Sequence, residues 1–139
     1  MKINGIVLRK IEIIQETLRE LRDLDSITTV KLEQDFFLKK GIERALQVCV
    51  EAVIDIAHRI ISLESSSPCT TAGKALEAIE SLGVIATASV YKPMVQFRNI
   101  VVHRYENVDN EIIVGVLKRN LNDFDKYISE VQRYAKSKS

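Results

Sequence analysis

Hydrophobic residues recur along most of this chain at intervals of three and four positions, the spacing that places them on one face of an α-helix. The first predicted helix covers residues 6–24, and its apolar face consists of Val7, Ile11, Ile14, Leu18 and Leu21. The second covers residues 33–62 and carries two apolar faces, one beginning at Ile42 and the other at Val50. A helix that is apolar on two sides is predicted to lie at the centre of a bundle or against another subunit.

The second half of the chain continues the helical pattern. It predicts a short helix over residues 72–82, a helix over residues 85–103 that Pro93 kinks near Tyr91, and a last helix over residues 109–136. The sequence therefore predicts an all-α fold, an antiparallel bundle of four to five helices plus a short helix.

Composition supports one helical domain spanning residues 1–139, because 46% of the residues are hydrophobic and only five are glycine and two proline. No apolar stretch reaches the length of a membrane span, which is about 18 residues or more. Charges at Arg9, Lys10 and Glu12 interrupt the N-terminal segment where a signal peptide needs an unbroken apolar core, so we expect a cytoplasmic protein.

Charge and metal-binding patterns narrow the possible chemistry. Twenty basic residues stand against nineteen acidic ones, which excludes nucleic-acid binding through bulk charge and requires a local site for any polyanion. The two cysteines lie outside any metal-binding pattern. His58 follows Glu51 and Asp55 on the polar face of the second helix, an arrangement that either holds a metal ion or is simply solvated.

The segment from Phe97 to Tyr105 carries the strongest candidate chemistry. Arg98 falls within an apolar arc, whereas Asn99 and His103 share a narrow polar wedge. Arg98 and His103 are five residues apart, which separates them by about 140° on an ideal helix. One interpretation pairs Arg98 with a core carboxylate and leaves His103 in water. The other is a phosphate site, in which the guanidinium holds oxygens and His103 transfers protons near neutral pH.

The segment contains the motif Arg98–x4–His103–x–Tyr105, in which x is any residue. Asn99 directly follows the arginine. This motif resembles that of the HepT toxins of the HEPN superfamily. The run MVQFRNIVVHRYENVD, from Met94 to Asp109, and the long second helix are similar to the family as well. The likeness in helix order extends over nearly the whole chain.

The resemblance implies a HEPN-type bundle that forms a homodimer, with the two motifs facing each other in a cleft between subunits. It implies a metal-independent endoribonuclease that needs no cofactor and acts on RNA as the toxin of a type VII toxin–antitoxin pair. Arg98 and His103 would be the catalytic pair, Asn99 a polar helper and Tyr105 the modification site. The implied partner is a small nucleotidyltransferase antitoxin of the MntA type, which silences the toxin by adding AMP to that tyrosine.

Two further hypotheses remain beside the toxin. In one, the bundle is a non-catalytic interaction module that partners a small nucleotidyltransferase. In the other, the polar face around His58 makes the protein a metal–carboxylate bundle. The intact Arg98, His103 and Tyr105 favour the ribonuclease over both.

Overall fold

The structure, a computed structural model, describes residues 5–64, 67–103 and 109–138, except for the side chains of residues 102 and 103. Within these ranges every regular element is helical, as the sequence predicts. The α-helices are α1 (Gly5–Arg22), α2 (Thr29–Gln34), α3 (Phe36–Glu64), α4 (Ala72–Ser81), α5 (Lys92–His103), α6 (Asn110–Arg119) and α7 (Leu121–Lys138). A short 3-10 turn, Ala88–Val90, precedes α5.

Helix α3 is the central element of the bundle. It packs against α1, α2, α4, α5 and α7, and both of its predicted apolar faces are buried. The first face runs from Ile42 to Ile60, and the second from Val50 to Ile61. The prediction of a central helix is therefore confirmed.

Helix α1 lies along α3 and buries its whole predicted apolar face. Ion pairs at the edges of this packing join α1 to α3 and to α7. Lys10 Nζ lies 3.0 Å from Asp55 on α3, and Arg22 Nη2 lies 2.6 Å from Asp125 on α7. Both pairs are solvent-accessible, so they orient the helices more than they stabilise them.

The predicted helix over residues 33–62 is wrong at its start, because the chain breaks at Asp35. This residue has extended backbone angles, φ −128° and ψ 93°, and it ends α2. Its side chain accepts a hydrogen bond of 3.0 Å from the backbone N–H of Leu38 and so caps α3. Aspartate competes with helix continuation in this way, and the apolar spacing does not reveal it.

The kinked helix predicted over residues 85–103 is also wrong. The chain forms the 3-10 turn first, and α5 begins only at Lys92. Pro93 occupies the first turn of α5, where the N–H that it lacks has no intrahelical acceptor in any case. The proline therefore marks a helix start and produces no kink.

The single last helix predicted over residues 109–136 is two helices, α6 and α7, that meet at Asn120. The N–H of Asn120 bonds to the carbonyl of Val116 and closes α6. The predicted cap is confirmed, since the Asp109 side chain accepts from the N–H of Glu111 at 2.8 Å. Ile113 and Gly115 are the buried residues of α6, and Val114, which the apolar spacing places in the core, is only half-buried.

The short helix agrees with its prediction to within one residue. The Thr71 side chain caps α4 by accepting from the N–H of Lys74 at 3.1 Å. Gly83 follows the helix with φ +83°, a left-handed conformation that favours glycine. In the described part of the chain, no helix combines the length and hydrophobicity needed to cross a membrane.

Candidate functional site

Helix α5 carries the candidate motif, and a buried polar network fixes the start of this helix. The Tyr91 hydroxyl donates a hydrogen bond to Glu130 on α7, and the other oxygen of Glu130 accepts from the N–H of Ala86 at 2.7 Å. Beside this pair, Lys92 Nζ lies 2.7 Å from the Glu77 carboxylate on α4. The beginning of α5 is thus tied to α4 and α7.

A second tyrosine continues the network into the core. The ring of Tyr127 packs edge-on against Tyr91 at a centroid distance of 5.0 Å, and its hydroxyl donates to the carbonyl of Val53 at 2.9 Å. Burial raises the pKa of Tyr91 above its ordinary value, and the Glu130 carboxylate adds to that shift. Burial raises the pKa of Tyr127 in the same direction. Both phenols therefore stay protonated donors at neutral pH.

Helices α3 and α5 run in opposite directions. Tyr91, just before α5, contacts the Tyr127 side chain, which is bonded to Val53. Further along α5, Phe97 lines the same small cavity as Leu46, about two turns earlier on α3. The last turns of α5, which contain the motif, therefore extend toward the N-terminal half of α3.

Arg98 lies in the second half of α5 with its side chain half-buried. Its Nε is fully buried and has no hydrogen-bond acceptor, and the guanidinium makes no ion pair with the residues that the structure describes. The described residues therefore give no support to the alternative in which a core carboxylate neutralises Arg98. An arginine whose buried donor lacks an acceptor is suited to binding an anion.

The other motif residues are described to different extents. Asn99 is exposed on α5, beside Arg98. His103 is the last residue of α5, but its side chain lies outside the described part of the structure, and so does the whole of Tyr105. The structure thus places Arg98, Asn99 and the backbone of His103 on one helix. The predicted meeting of the four side chains stays a prediction.

The carboxylates near His58 are engaged in other contacts. The Glu51 carboxylate accepts from Gln47 Nε2 at 3.1 Å, and Asp55 pairs with Lys10. The described residues contain no group of three or more histidine, cysteine or acidic side chains arranged to hold a metal ion. The metal–carboxylate hypothesis therefore has no geometric support in this part of the chain.

The two cysteines differ in environment. Cys49 is buried in the core, and burial raises the pKa of its thiol to about 12 despite a hydrogen bond with Thr17 that lowers it. Cys69 is partly exposed in the segment before α4, and its Sγ lies 3.8 Å from the carbonyl of Lys74. The structure describes both as free thiols.

The sequence analysis does not predict the burial of three charged residues, Glu130 on α7 and Lys39 and Glu43 on α3. The apolar spacing of α7 does not predict that Glu130 is buried, because this residue interrupts the spacing with a charge. Its one signal is its position directly before the buried Val131, on the side of the helix that also carries Tyr127 and Tyr134.

Comparison with known proteins supplies independent information. The family model described as "Ribonuclease HepT-like" matches residues 7–131. The chain is 27% identical over 132 residues to the mRNA nuclease HepT of Shewanella oneidensis, covering 94% of this chain and 98% of that protein. It is also 27% identical over 135 residues to the tRNA nuclease HepT of Aphanizomenon flos-aquae, covering 93% and 89% of the two chains.

A solved structure shares the fold. The tri-AMPylated HEPN toxin of Shewanella oneidensis, in complex with MNT antitoxin, superposes with a TM-score of 0.84 at 27% identity. The match covers 94% of this chain and 98% of the toxin. The helical bundle described above is therefore similar to that of a toxin whose solved form carries AMP.

Proposed function

Because this chain belongs to the Ribonuclease HepT-like family, we propose that it is a metal-independent endoribonuclease and the toxin of a toxin–antitoxin pair. The observation that carries the proposal is Arg98, whose buried Nε lacks an acceptor at the start of the Arg–x4–His motif. The relatives named as HepT nucleases support it, since they match this chain over almost its whole length. The proposed domain spans residues 1–139, and we expect it to act in the cytoplasm, where RNA substrates are found.

The proposed reaction is an attack within the RNA itself. The 2′-hydroxyl loses its proton to a base and its oxygen bonds to the adjacent phosphorus, while the bond from phosphorus to the 5′-oxygen breaks. The leaving 5′-oxygen takes up a proton, so the products are a 2′,3′-cyclic phosphate and a 5′-hydroxyl. His103 is the proposed group for proton transfer, since histidine is the side chain whose ordinary pKa lies nearest to neutrality. Arg98 neutralises the charge that develops on the phosphate oxygens, with Asn99 as an adjacent polar helper.

We propose that the site forms between two copies of the chain. One chain supplies a single Arg98 and a single His103, and their separation of about 140° along an ideal helix places them on different sides. A two-fold dimer supplies two of each at one cleft, because isologous association presents the same patch from both subunits. The reaction needs both a proton acceptor and a proton donor, which two histidines provide.

The proposed regulator is a nucleotidyltransferase antitoxin of the MntA type. The solved toxin relative is AMPylated and bound to an MNT antitoxin, which supports the same arrangement here. We propose Tyr105 as the acceptor of AMP, because it lies two residues after His103 in the motif. Added negative charge and bulk next to the catalytic pair would exclude RNA.

The first experiment tests cleavage by the purified chain in EDTA. We expect RNA products that end in a cyclic phosphate or a 3′-phosphate, and we expect His103→Ala to be slower by about 10²–10⁴-fold, the usual contribution of one acid–base group. His58→Ala is the matched control, since it removes the other histidine from α3 and should retain wild-type activity. Activity that EDTA abolishes and a divalent ion restores would contradict the mechanism, and a fully active His103→Ala would remove the role of that residue.

The modification has its own test, the intact mass of the chain produced with and without an MntA-type nucleotidyltransferase. We expect mass increments of AMP only in the presence of that enzyme, accompanied by loss of RNA cleavage. Tyr105→Phe should abolish these increments and stay active in the presence of the antitoxin enzyme. An unchanged pattern of increments in that variant would show that AMP is attached elsewhere.

A further inference from the structure

Glu43 is a buried carboxylate whose hydrogen-bonding capacity is incompletely used. The residue is 5% exposed, and its Oε2 is buried without a hydrogen-bond donor. The Lys40 ammonium forms an ion pair with that oxygen at 3.4 Å, but the Lys40 side chain is 44% exposed and the contact lacks hydrogen-bond geometry. The ion pair offsets part of the cost of burying this carboxylate, but Oε2 still has no hydrogen-bond donor and can accept one.

Glu43 lies on the stripe of α3 that faces α5. At about 100° per residue, Lys39, Glu43, Leu46 and Val50 fall within an arc of about 60°. Leu46 and Val50 line the small cavity together with Met94 and Phe97 of α5. Glu43 therefore extends the surface that packs against α5 by one turn, toward the N-terminal end of α3.

Arg98 lies at the edge of the α5 face that packs against α3. It lies one turn after Met94 and about 40° from it around the helix. Because α5 runs antiparallel to α3, one turn beyond Met94 leads toward Glu43. A buried donor without an acceptor, Arg98 Nε, and a buried acceptor without a donor, Glu43 Oε2, thus extend the facing stripes of one helix pair in the same direction.

We propose that Glu43 is a positioning residue for Arg98 when the site holds RNA. Its carboxylate accepts a hydrogen bond from Nε, which turns the two terminal nitrogens of the guanidinium toward the phosphate. Arginine suits this role because its planar fork presents donors along more than one edge. Lys39, only 8% exposed and one turn further along the stripe, adds positive charge at the same end of the helix pair. The inference rests on the proposed ribonuclease function.

The kinetic test compares Glu43→Gln with Glu51→Gln, a matched change at a half-buried glutamate on the same helix. We expect Glu43→Gln to lower kcat by about 10- to 100-fold, the scale of a catalytic group displaced by about 1 Å, with KM changed by less than about twofold. Glu51→Gln should keep the wild-type values. Glu43→Asp, which retains the charge, should recover part of the lost kcat.

A double-mutant cycle separates positioning from general damage to the fold. If Glu43 acts through Arg98, Glu43→Gln should slow the Arg98→Ala protein no further. The proposal would be overturned if the losses of kcat from Glu43→Gln and Arg98→Ala multiplied in the double variant, or if Glu43→Gln alone kept the wild-type kcat. Either result would leave the ribonuclease function intact.

An NMR measurement tests the contact without turnover. The probe is a 2′-deoxy oligonucleotide, which lacks the attacking hydroxyl, and the readout is the Nε–Hε resonance of Arg98. We expect Glu43→Gln to shift this resonance in the complex and Glu51→Gln to leave it unchanged. An Arg98 resonance that is insensitive to Glu43→Gln overturns the pairing, whereas a wild-type chain that binds the oligonucleotide but cleaves no RNA contradicts the proposed function itself.

Discussion

Two buried tyrosines, Tyr91 just before α5 and Tyr127 on α7, give the fold a defined sensitivity to alkali. Burial raises the pKa of Tyr91 and Tyr127 above their ordinary value of 10.0, so the folded state holds both protons more tightly than the unfolded chain does. Their contribution to stability is therefore complete below pH 10 and is lost as the pH rises from there toward the folded-state pKa. We expect the free energy of unfolding, measured by urea denaturation, to fall above pH 10. It should fall less steeply in Tyr127→Phe, which lacks one of these groups.

The control is the slope of the free energy of unfolding against pH, compared between wild type and Tyr127→Phe. Tyr127→Phe also removes the hydrogen bond to Val53, which lowers stability at all pH values by about 1 kcal/mol. Curves for wild type and variant that stay parallel above pH 10 would contradict the assignment. The apolar spacing does not reveal the glutamate that accepts the hydrogen bond of a tyrosine hydroxyl 39 positions away.

At the scale of helices, Asp35 and Gly41 have opposite effects on α3. Asp35 caps the helix, so Asp35→Ala should lower the free energy of unfolding by about 1 kcal/mol. Gly41 lies inside the helix, and an added Cβ there would meet no atom within 4 Å. Gly41→Ala should therefore raise stability by about 1 kcal/mol. Thermal and urea unfolding of both variants measure the difference, and a destabilised Gly41→Ala would show that a partner covers that surface.

Apolar periodicity predicts which helix faces are buried, but it predicts helix ends less well. The buried face of α1 and both faces of α3 follow directly from spacing, since the core selects those positions. The breaks at Asp35 and Asn120 do not, because one side-chain hydrogen bond or one turned residue ends a helix without disturbing the spacing. In the candidate site, the motif locates Arg98 on α5. The burial of Arg98 Nε and of Glu43 Oε2 without hydrogen-bond partners depends on the packing of helices distant in sequence, which no local pattern contains.

At the scale of the whole molecule, we expect a homodimer whose interface includes the helix from Arg98 toward Tyr105. The end of α5 extends toward the N-terminal half of α3, where Phe36 and Phe37 are 60% and 83% exposed. Exposed aromatic side chains near a proposed interface favour association. Stable dimers of this kind bury about 2,000 Å² or more. Sedimentation equilibrium at micromolar concentration should give the mass of two chains, and a monomer would exclude the shared catalytic cleft.

The contrast between the two cysteines has a practical consequence for anyone who wishes to follow this protein by fluorescence. Maleimides react with thiolates, and the Cys49 thiol is both inaccessible and held protonated far above neutral pH. Cys69 is the partly exposed thiol of the folded chain, in the segment that leads into α4. A dye added to the folded protein near neutral pH therefore attaches at one defined place, just before α4, and the natural sequence needs no engineering to receive it.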